Sequence, residues 1–277
     1  MKKEPLFIFL FVLIMIALLQ IIIYKEPYPE GNYYNLSKGF LAYEKLGSGE
    51  QTIIMVHGSP GSKEDFRNLK KEFPDYKVYL LDMYGFGDSQ MKVKNYGSES
   101  QADVIKEFME KENVKETNIL GYSWGSLVAI DFAYKYPELT DNLILLDGSG
   151  IQEGEPTGNY YTERGRTIFS YPFTIYYPGG FLGGINWKKG FILSFYQTDQ
   201  RLVEGKMKTI KIPTLIIHGE EDTIVMPWVA EKHHRLIESS TLKFFHGGHI
   251  KLFSDTKEIG EIINDYLKTN NKSENGK

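Results

Sequence analysis

The sequence predicts an α/β protein: a mostly parallel sheet with helices on both faces, an inserted cap, and an N-terminal transmembrane helix in front of them. Three observations lead there. Short, continuous apolar runs recur at 51–56, 78–81, 117–120, 143–146 and 214–217, the pattern of strands buried on both faces. Segments of helical periodicity separate them, such as 100–111 with Val104, Ile105, Phe108 and Met109 on one stripe, and that alternation specifies a parallel sheet covered on both sides. Ahead of all of this, the run from 6 to 24 is apolar with Gln20 as its one strongly polar member.

That first run is close to the ~20 residues a helix needs to cross a bilayer. It exceeds the roughly 7–15 residues of a signal-peptide core. No A-x-A-like cleavage site follows, and there is no cysteine for a lipid anchor. The expectation is therefore an uncleaved signal anchor over 1–24. Lys2 and Lys3 keep its N-terminus cytoplasmic and put the rest of the chain on the extracytoplasmic side. Residues 25–32, with Pro27, Pro29 and Gly31, read as a linker.

Two strands are expected at 33–37 and 39–45, then the buried strand 51–56, which runs into His57-Gly58-Ser59-Pro60-Gly61. A helix is expected over 63–73, a strand over 78–81 ending at Asp82, the helix 100–111, the strand 117–120, a helix to about Tyr136, and the strand 143–146. The alternation then breaks. From 149 to 210 the composition turns aromatic, with Tyr160, Tyr161, Phe169, Tyr171, Phe191, Phe195 and Tyr196 among others, and no long apolar strand. This is the expected cap, dividing a core of 33–148 from its second part, 211–268. That second part supplies the strand 214–217, a helix near 228–237, a strand over 242–245 and a last helix near 256–267. Residues 269–277 are polar and read as a disordered tail.

Composition removes several function classes. The net charge of −4 argues against a nucleic-acid partner, which calls for a basic excess. With no cysteine, disulfides, thiolate metal sites and a cysteine nucleophile are excluded. There is no H-E-x-x-H, no phosphate-binding G-x-x-x-x-G-K-[ST], and Gly85-Phe86-Gly87 lacks the third glycine of a dinucleotide fingerprint. No metal or organic cofactor is expected.

The chemistry centres on Gly121-Tyr122-Ser123-Trp124-Gly125, between an apolar strand and an apolar helix. A serine at such a turn is held in a strained backbone, and only small neighbours two residues before and after fit beside it. The following helix aims its free N–H groups at the serine. Ser123 needs a base and a group to orient that base, and reacting groups collect at the carboxyl ends of parallel strands. Two later strand ends offer partners: Glu220, Glu221 and Asp222 after one, His246 and His249 after the next. His57 and His218 each precede a glycine at a strand end and read as turn hydrogen bonding. His233 and His234 fall on a helix and read as surface or partly buried.

From 33 to 267 the chain resembles the α/β-hydrolase superfamily. It carries in order H-G-x-P-G at His57, D-x-x-G-x-G-x-S at Asp82, G-x-S-x-G around Ser123 and H-G-x-x-D-x-x-V from His218 to Val225. The resemblance implies Ser123 as nucleophile, Asp222 as the acid rather than Glu220 or Glu221, and His249 as the base rather than His246. It also implies an oxyanion hole from the backbone N–H groups of Ser59 and Trp124, a loop at Asp82–Ser89 that braces it, and a Ser59–Pro60 bond that is often cis in relatives. A serine in place of an aspartate at the elbow argues against the epoxide-hydrolase and haloalkane-dehalogenase branches. The expected activity is cleavage of a carboxylic ester: a small, apolar acyl or aryl ester or, given the expected membrane anchor, a lipid-derived one. A proline-iminopeptidase-like enzyme, a C–C bond hydrolase and a catalytically silent binding scaffold are the alternatives.

Overall fold

The computed structural model describes residues 7–12, 14, 15, 18, 31–176 and 185–270. Eight strands form one sheet: β1 (Asn32–Leu36), β2 (Gly39–Leu46), β3 (Thr52–Val56), β4 (Lys77–Leu81), β5 (Thr117–Tyr122), β6 (Thr140–Leu146), β7 (Thr214–Gly219) and β8 (Ser240–Phe245). Their order is β1-β2-β4-β3-β5-β6-β7-β8. β1 and β2 pair antiparallel and β2 joins β4 antiparallel, while every later pairing is parallel. The order of strands turns back at β3, with β4 on one side of it and β5 on the other, so the loops after β3 and β5 share one crevice. In an open parallel sheet such a crevice is where ligands bind.

Alternation of side chains across the pleat explains the two cores. Ile54 and Val56 of β3 point to one face, where they meet α1 (Ser98–Glu112) through Ile105 and Phe108 and α2 (Gly125–Lys135) through Val128 and Phe132. Ile53 and Met55 point to the other face and pack with Phe66, Leu69 and the last helix, α7 (Lys257–Asn270), through Ile259, Ile263 and Leu267. A strand with four successive apolar residues, Ile53 to Val56, is therefore filled on both sides.

Between β6 and β7 lie α3 (Tyr160–Tyr176), α4 (Ile185–Tyr196) and α5 (Gln200–Met207), and α6 (Pro227–Leu236) follows β7. α4 reaches the core at a glycine–glycine contact. A Cβ on Gly190 would stand 2.5 Å from the Gly85 carbonyl oxygen, and one on Gly85 3.1 Å from the Gly190 Cα.

Several expectations are corrected. Among the described residues no helix is long and apolar enough to cross a membrane. The transmembrane helix is therefore not supported. With it go the membrane partner and the extracytoplasmic placement that rested on it. Much of the expected span and most of the linker lie outside the described residues. The helix expected over 63–73 is instead two short 3-10 turns, Lys63–Phe66 and Leu69–Glu72. Its first residue is drawn away to Asp82, which accepts from both the Lys63 backbone N–H and its Nζ. α7 runs to Asn270, two residues into the stretch read as a tail, and 271–277 lie outside the described residues.

Candidate active site

Ser123 sits between β5 and α2 with φ +52°, a left-handed conformation that a serine adopts only under constraint. The constraint is visible on both sides of it. A Cβ on Gly121 would fall 2.4 Å from the Gly125 carbonyl oxygen, and one on Gly125 2.2 Å from that of Val56. The turn is closed further by the Ser123 N–H donating to the Leu146 carbonyl at 2.9 Å and by the Ser126 hydroxyl donating to the Gly121 carbonyl at 2.8 Å.

The structure brings Ser123, His249 and Asp222 together from three strand ends. The His249 Nε2 lies 3.0 Å from the Ser123 Oγ, and its Nδ1 lies 2.7 Å from the Asp222 Oδ2. All three side chains are buried or nearly so. Asp222 is fixed from behind: its Oδ1 accepts from the N–H groups of Ile224 and Val225 at 2.8 and 2.9 Å. That carboxylate is an acceptor only, so the Nδ1 of His249 carries the proton and Nε2 faces the serine as an acceptor. An imidazole in this tautomer can take the hydroxyl proton.

Ser59 and Trp124 flank the same crevice. Among the described residues neither backbone N–H has a hydrogen-bond acceptor. The Ser59–Pro60 peptide is cis. The Ser59 hydroxyl lies 3.3 Å from that of Ser194 on α4, so the inserted helices touch the loop directly. The indole of Trp124 is fully buried and tilted against Phe86 with centroids 5.8 Å apart, which anchors the elbow.

The loops around this crevice are tied together. His57 donates from Nδ1 to the Gly58 carbonyl at 2.7 Å and accepts at Nε2 from the Met83 N–H at 3.0 Å. Burial pushes its pKa down, which keeps it neutral in this double role. Asp82, fully buried, takes the Lys63 N–H and Nζ at 2.6 and 2.7 Å and the Asp88 N–H at 2.9 Å. Gly87 leaves it room, since a Cβ there would stand 2.1 Å from the carboxyl carbon. Ser89 joins the Ala42 N–H to the Asp82 carbonyl.

The other sequence candidates lie apart. His246 is exposed and pairs with Glu258 at 3.0 Å. Glu220 and Glu221 sit in the turn after β7 as exposed groups. His218 is buried and donates from Nε2 to the Val225 carbonyl at 2.8 Å. His218, Asp147 and Asp222 converge with ligand-capable atoms within 4.8 Å of one another. Their chemistry suits hydrogen bonding more than a cation. The Nε2 of His218 and both oxygens of Asp222 are already engaged, and burial pushes the Asp147 carboxyl well up, towards its neutral form.

Two residues escaped the sequence reading. Tyr122 donates its hydroxyl to the His249 carbonyl at 2.8 Å and lays its ring 5.1 Å from the imidazole, so it holds the loop that carries His249. Its only signal was an aromatic beside the elbow serine. His233 was expected at or near the surface but is fully buried under the loop that follows β6, with neither nitrogen hydrogen-bonded. Burial pushes its pKa down to about 3.

Comparisons agree with this geometry at the level of the fold. Residues 51–175 match the family model described as the alpha/beta hydrolase fold. The human serine hydrolase BPHL is 25% identical over 250 residues, covering 82% of this chain and 83% of that protein. An esterase from Exiguobacterium antarcticum superposes with a TM-score of 0.71 at 20% identity, covering 86% of this chain and all of the other (100%). A meta-cleavage product hydrolase from Pseudomonas fluorescens IP01 superposes with a TM-score of 0.65 at 24% identity, covering 87% of this chain and 98% of the other. Likeness to solved structures at such identity speaks to architecture alone.

Proposed function

We propose that this protein, which belongs to the α/β-hydrolase superfamily, is a serine hydrolase that cleaves carboxylic esters through an acyl-enzyme on Ser123. The observation that carries the reading is the unbroken hydrogen-bond chain from Asp222 through His249 to Ser123, at 2.7 and 3.0 Å, beside two unengaged backbone N–H groups.

In this reading His249 takes the Ser123 proton as Oγ attacks the ester carbonyl carbon. The N–H groups of Ser59 and Trp124 receive the oxyanion, each worth a few kcal/mol when preorganised. Collapse of the tetrahedral intermediate breaks the bond to the alkoxide, which leaves with the proton from His249. Water, deprotonated by His249, then attacks the acyl-enzyme and releases the acid, and the proton returns to Ser123. Asp222 holds the tautomer and balances the transient imidazolium. The inserted helices act as a cap, because Ser194 on α4 touches the Ser59 loop. An intact nucleophile, base and acid is also what a silent binding scaffold would be expected to lack.

The test is a panel of p-nitrophenyl esters of rising chain length, a proline arylamide and a vinylogous 1,5-diketone, run on the wild type and on Ser123→Ala. The expected result is ester turnover in the wild type that falls to background in the variant. Preferential release from the arylamide or the diketone, or wild-type ester turnover by the variant, overturns the reading.

A further inference from the structure

We infer that the inserted helices hold a binding site for a small carboxylic acid with an apolar body, recognised by Arg164. A cavity of about 240 Å³ lies between α3, α4 and the start of α5, small for a ligand pocket but of a size for one ring and its substituents. Its apolar wall includes Phe191 and Phe195. Arg164 also lines it, with its guanidinium between the rings of Tyr160 and Tyr196 at 4.4 and 4.6 Å from their centroids. The two rings fix the plane of the cation without supplying an acceptor to its Nε–H, which is buried and has no hydrogen-bond partner.

Among the described residues that line or border the cavity, charge pairing leaves Arg164 without a carboxylate partner. Arg166 pairs with Glu163, and Arg201 pairs with Asp199 through two nitrogens. Glu155 receives the amide N–H of Gln200, and burial pushes its carboxyl up, towards the neutral form. Among the described residues Arg164 has no carboxylate at ion-pair distance. A pre-oriented guanidinium with a buried, unpaired N–H is suited to an oxygen anion. The same cavity holds a second unsatisfied group, the buried Oε1 of Gln200, which calls for a donor. A buried polar atom left unpaired is costly, and here one acid that also carries an O–H or N–H satisfies both. α4 links the cavity to the crevice, since Ser194 on the same helix reaches Ser59.

Binding is measured by isothermal titration calorimetry on the full chain, using mandelate, phenylacetate and mandelamide as probes. Mandelate offers the anion, the hydroxyl and the ring. Phenylacetate lacks the hydroxyl, and mandelamide lacks the charge. The expected order is mandelate, then phenylacetate, with mandelamide at least tenfold weaker than mandelate. Arg164→Gln lowers mandelate affinity tenfold or more, while Arg235→Gln, at an exposed guanidinium on α6 that does not line the cavity, leaves it within twofold. Should Arg164→Gln not fold, Gln200→Leu replaces it. That variant loses the preference for mandelate over phenylacetate if the proposal holds. Equal binding of acid and amide, equal losses in the two arginine variants, or no heat with any probe overturns it. The same titration on Ser123→Ala keeps the result independent of catalysis. Competition between mandelate and an ester substrate identifies the acid as part of the substrate, and binding without competition identifies a separate effector. Either supports the site.

Discussion

Replacing Asp222 by asparagine tests the orientation of the base with the smallest change in shape. The two oxygens of Asp222 do different work. Oδ1 accepts two backbone N–H bonds at 2.8 and 2.9 Å, and Oδ2 accepts from the His249 Nδ1 at 2.7 Å. An amide has one acceptor and one donor end. Its NH₂ cannot face the N–H groups of Ile224 and Val225, so the carbonyl takes that place and the NH₂ faces Nδ1. His249 must then carry its proton on Nε2, pointing at Ser123, where it cannot accept the hydroxyl proton. The expected loss in kcat is about 10⁴-fold, the scale for an inverted triad tautomer, or roughly 5 kcal/mol of barrier. The assay is steady-state hydrolysis of p-nitrophenyl butyrate, with thermal unfolding to check that the variant is folded. A folded Asp222→Asn that keeps kcat within tenfold of the wild type would refute the role given to this carboxylate.

Three further outcomes follow from the same geometry. Tyr122→Phe removes the donor to the His249 carbonyl and leaves that group unpaired, at a cost of about 1–2 kcal/mol; kcat for the ester is expected to fall about tenfold with KM little changed, and an unchanged kcat would contradict the positioning role. Gly125→Ala places a methyl 2.2 Å from the Val56 carbonyl oxygen and 2.5 Å from that of His57, both backbone atoms that cannot step aside; a destabilisation of roughly 3 kcal/mol or failure to fold is expected by denaturant titration. His233 has its folded pKa pushed down to about 3, so the unfolded chain, titrating near ~6.5, binds more protons below that pH and stability must fall as pH falls from there towards 3. The contribution is on the order of 5 kcal/mol across the full window, and His233→Leu is expected to lose less stability than the wild type between pH 7 and pH 4; equal losses would show that this histidine is not the cause.

Much of the architecture was legible because β3 to β7 are buried on both faces over most of their length, and each carries an unbroken apolar run that marks it out. The elbow was legible because a serine at positive φ restricts its neighbours to glycine, and that restriction is local. From the residues alone the partners of Ser123 were legible only as strand-end groups, since nothing in one chain segment reports where another strand's loop lies; the family resemblance singled out Asp222 and His249 among them. What escaped depended on distant contacts. The stretch after Ser62 has the composition of a helix, yet Asp82 pulls on Lys63 and the chain settles for two short turns. His233 looks polar on its helix, but the helix turns it under the glycines at 148 and 150. The aromatic Tyr122 carries no mark of its bond to a backbone carbonyl 127 residues away. The apolar N-terminal run was read from length and hydropathy alone, and among the described residues no helix is long and apolar enough to cross a membrane.

The central claim is that the hydroxyl at 123 is made nucleophilic by its surroundings. The most direct measurement is treatment of the folded protein with a fluorophosphonate, followed by proteolysis and mass spectrometry of the peptides. The account predicts one equivalent of phosphonyl adduct on Ser123, none after denaturation, and none on Ser126 or Ser149. No adduct on the folded protein, or an adduct on another serine, would contradict it.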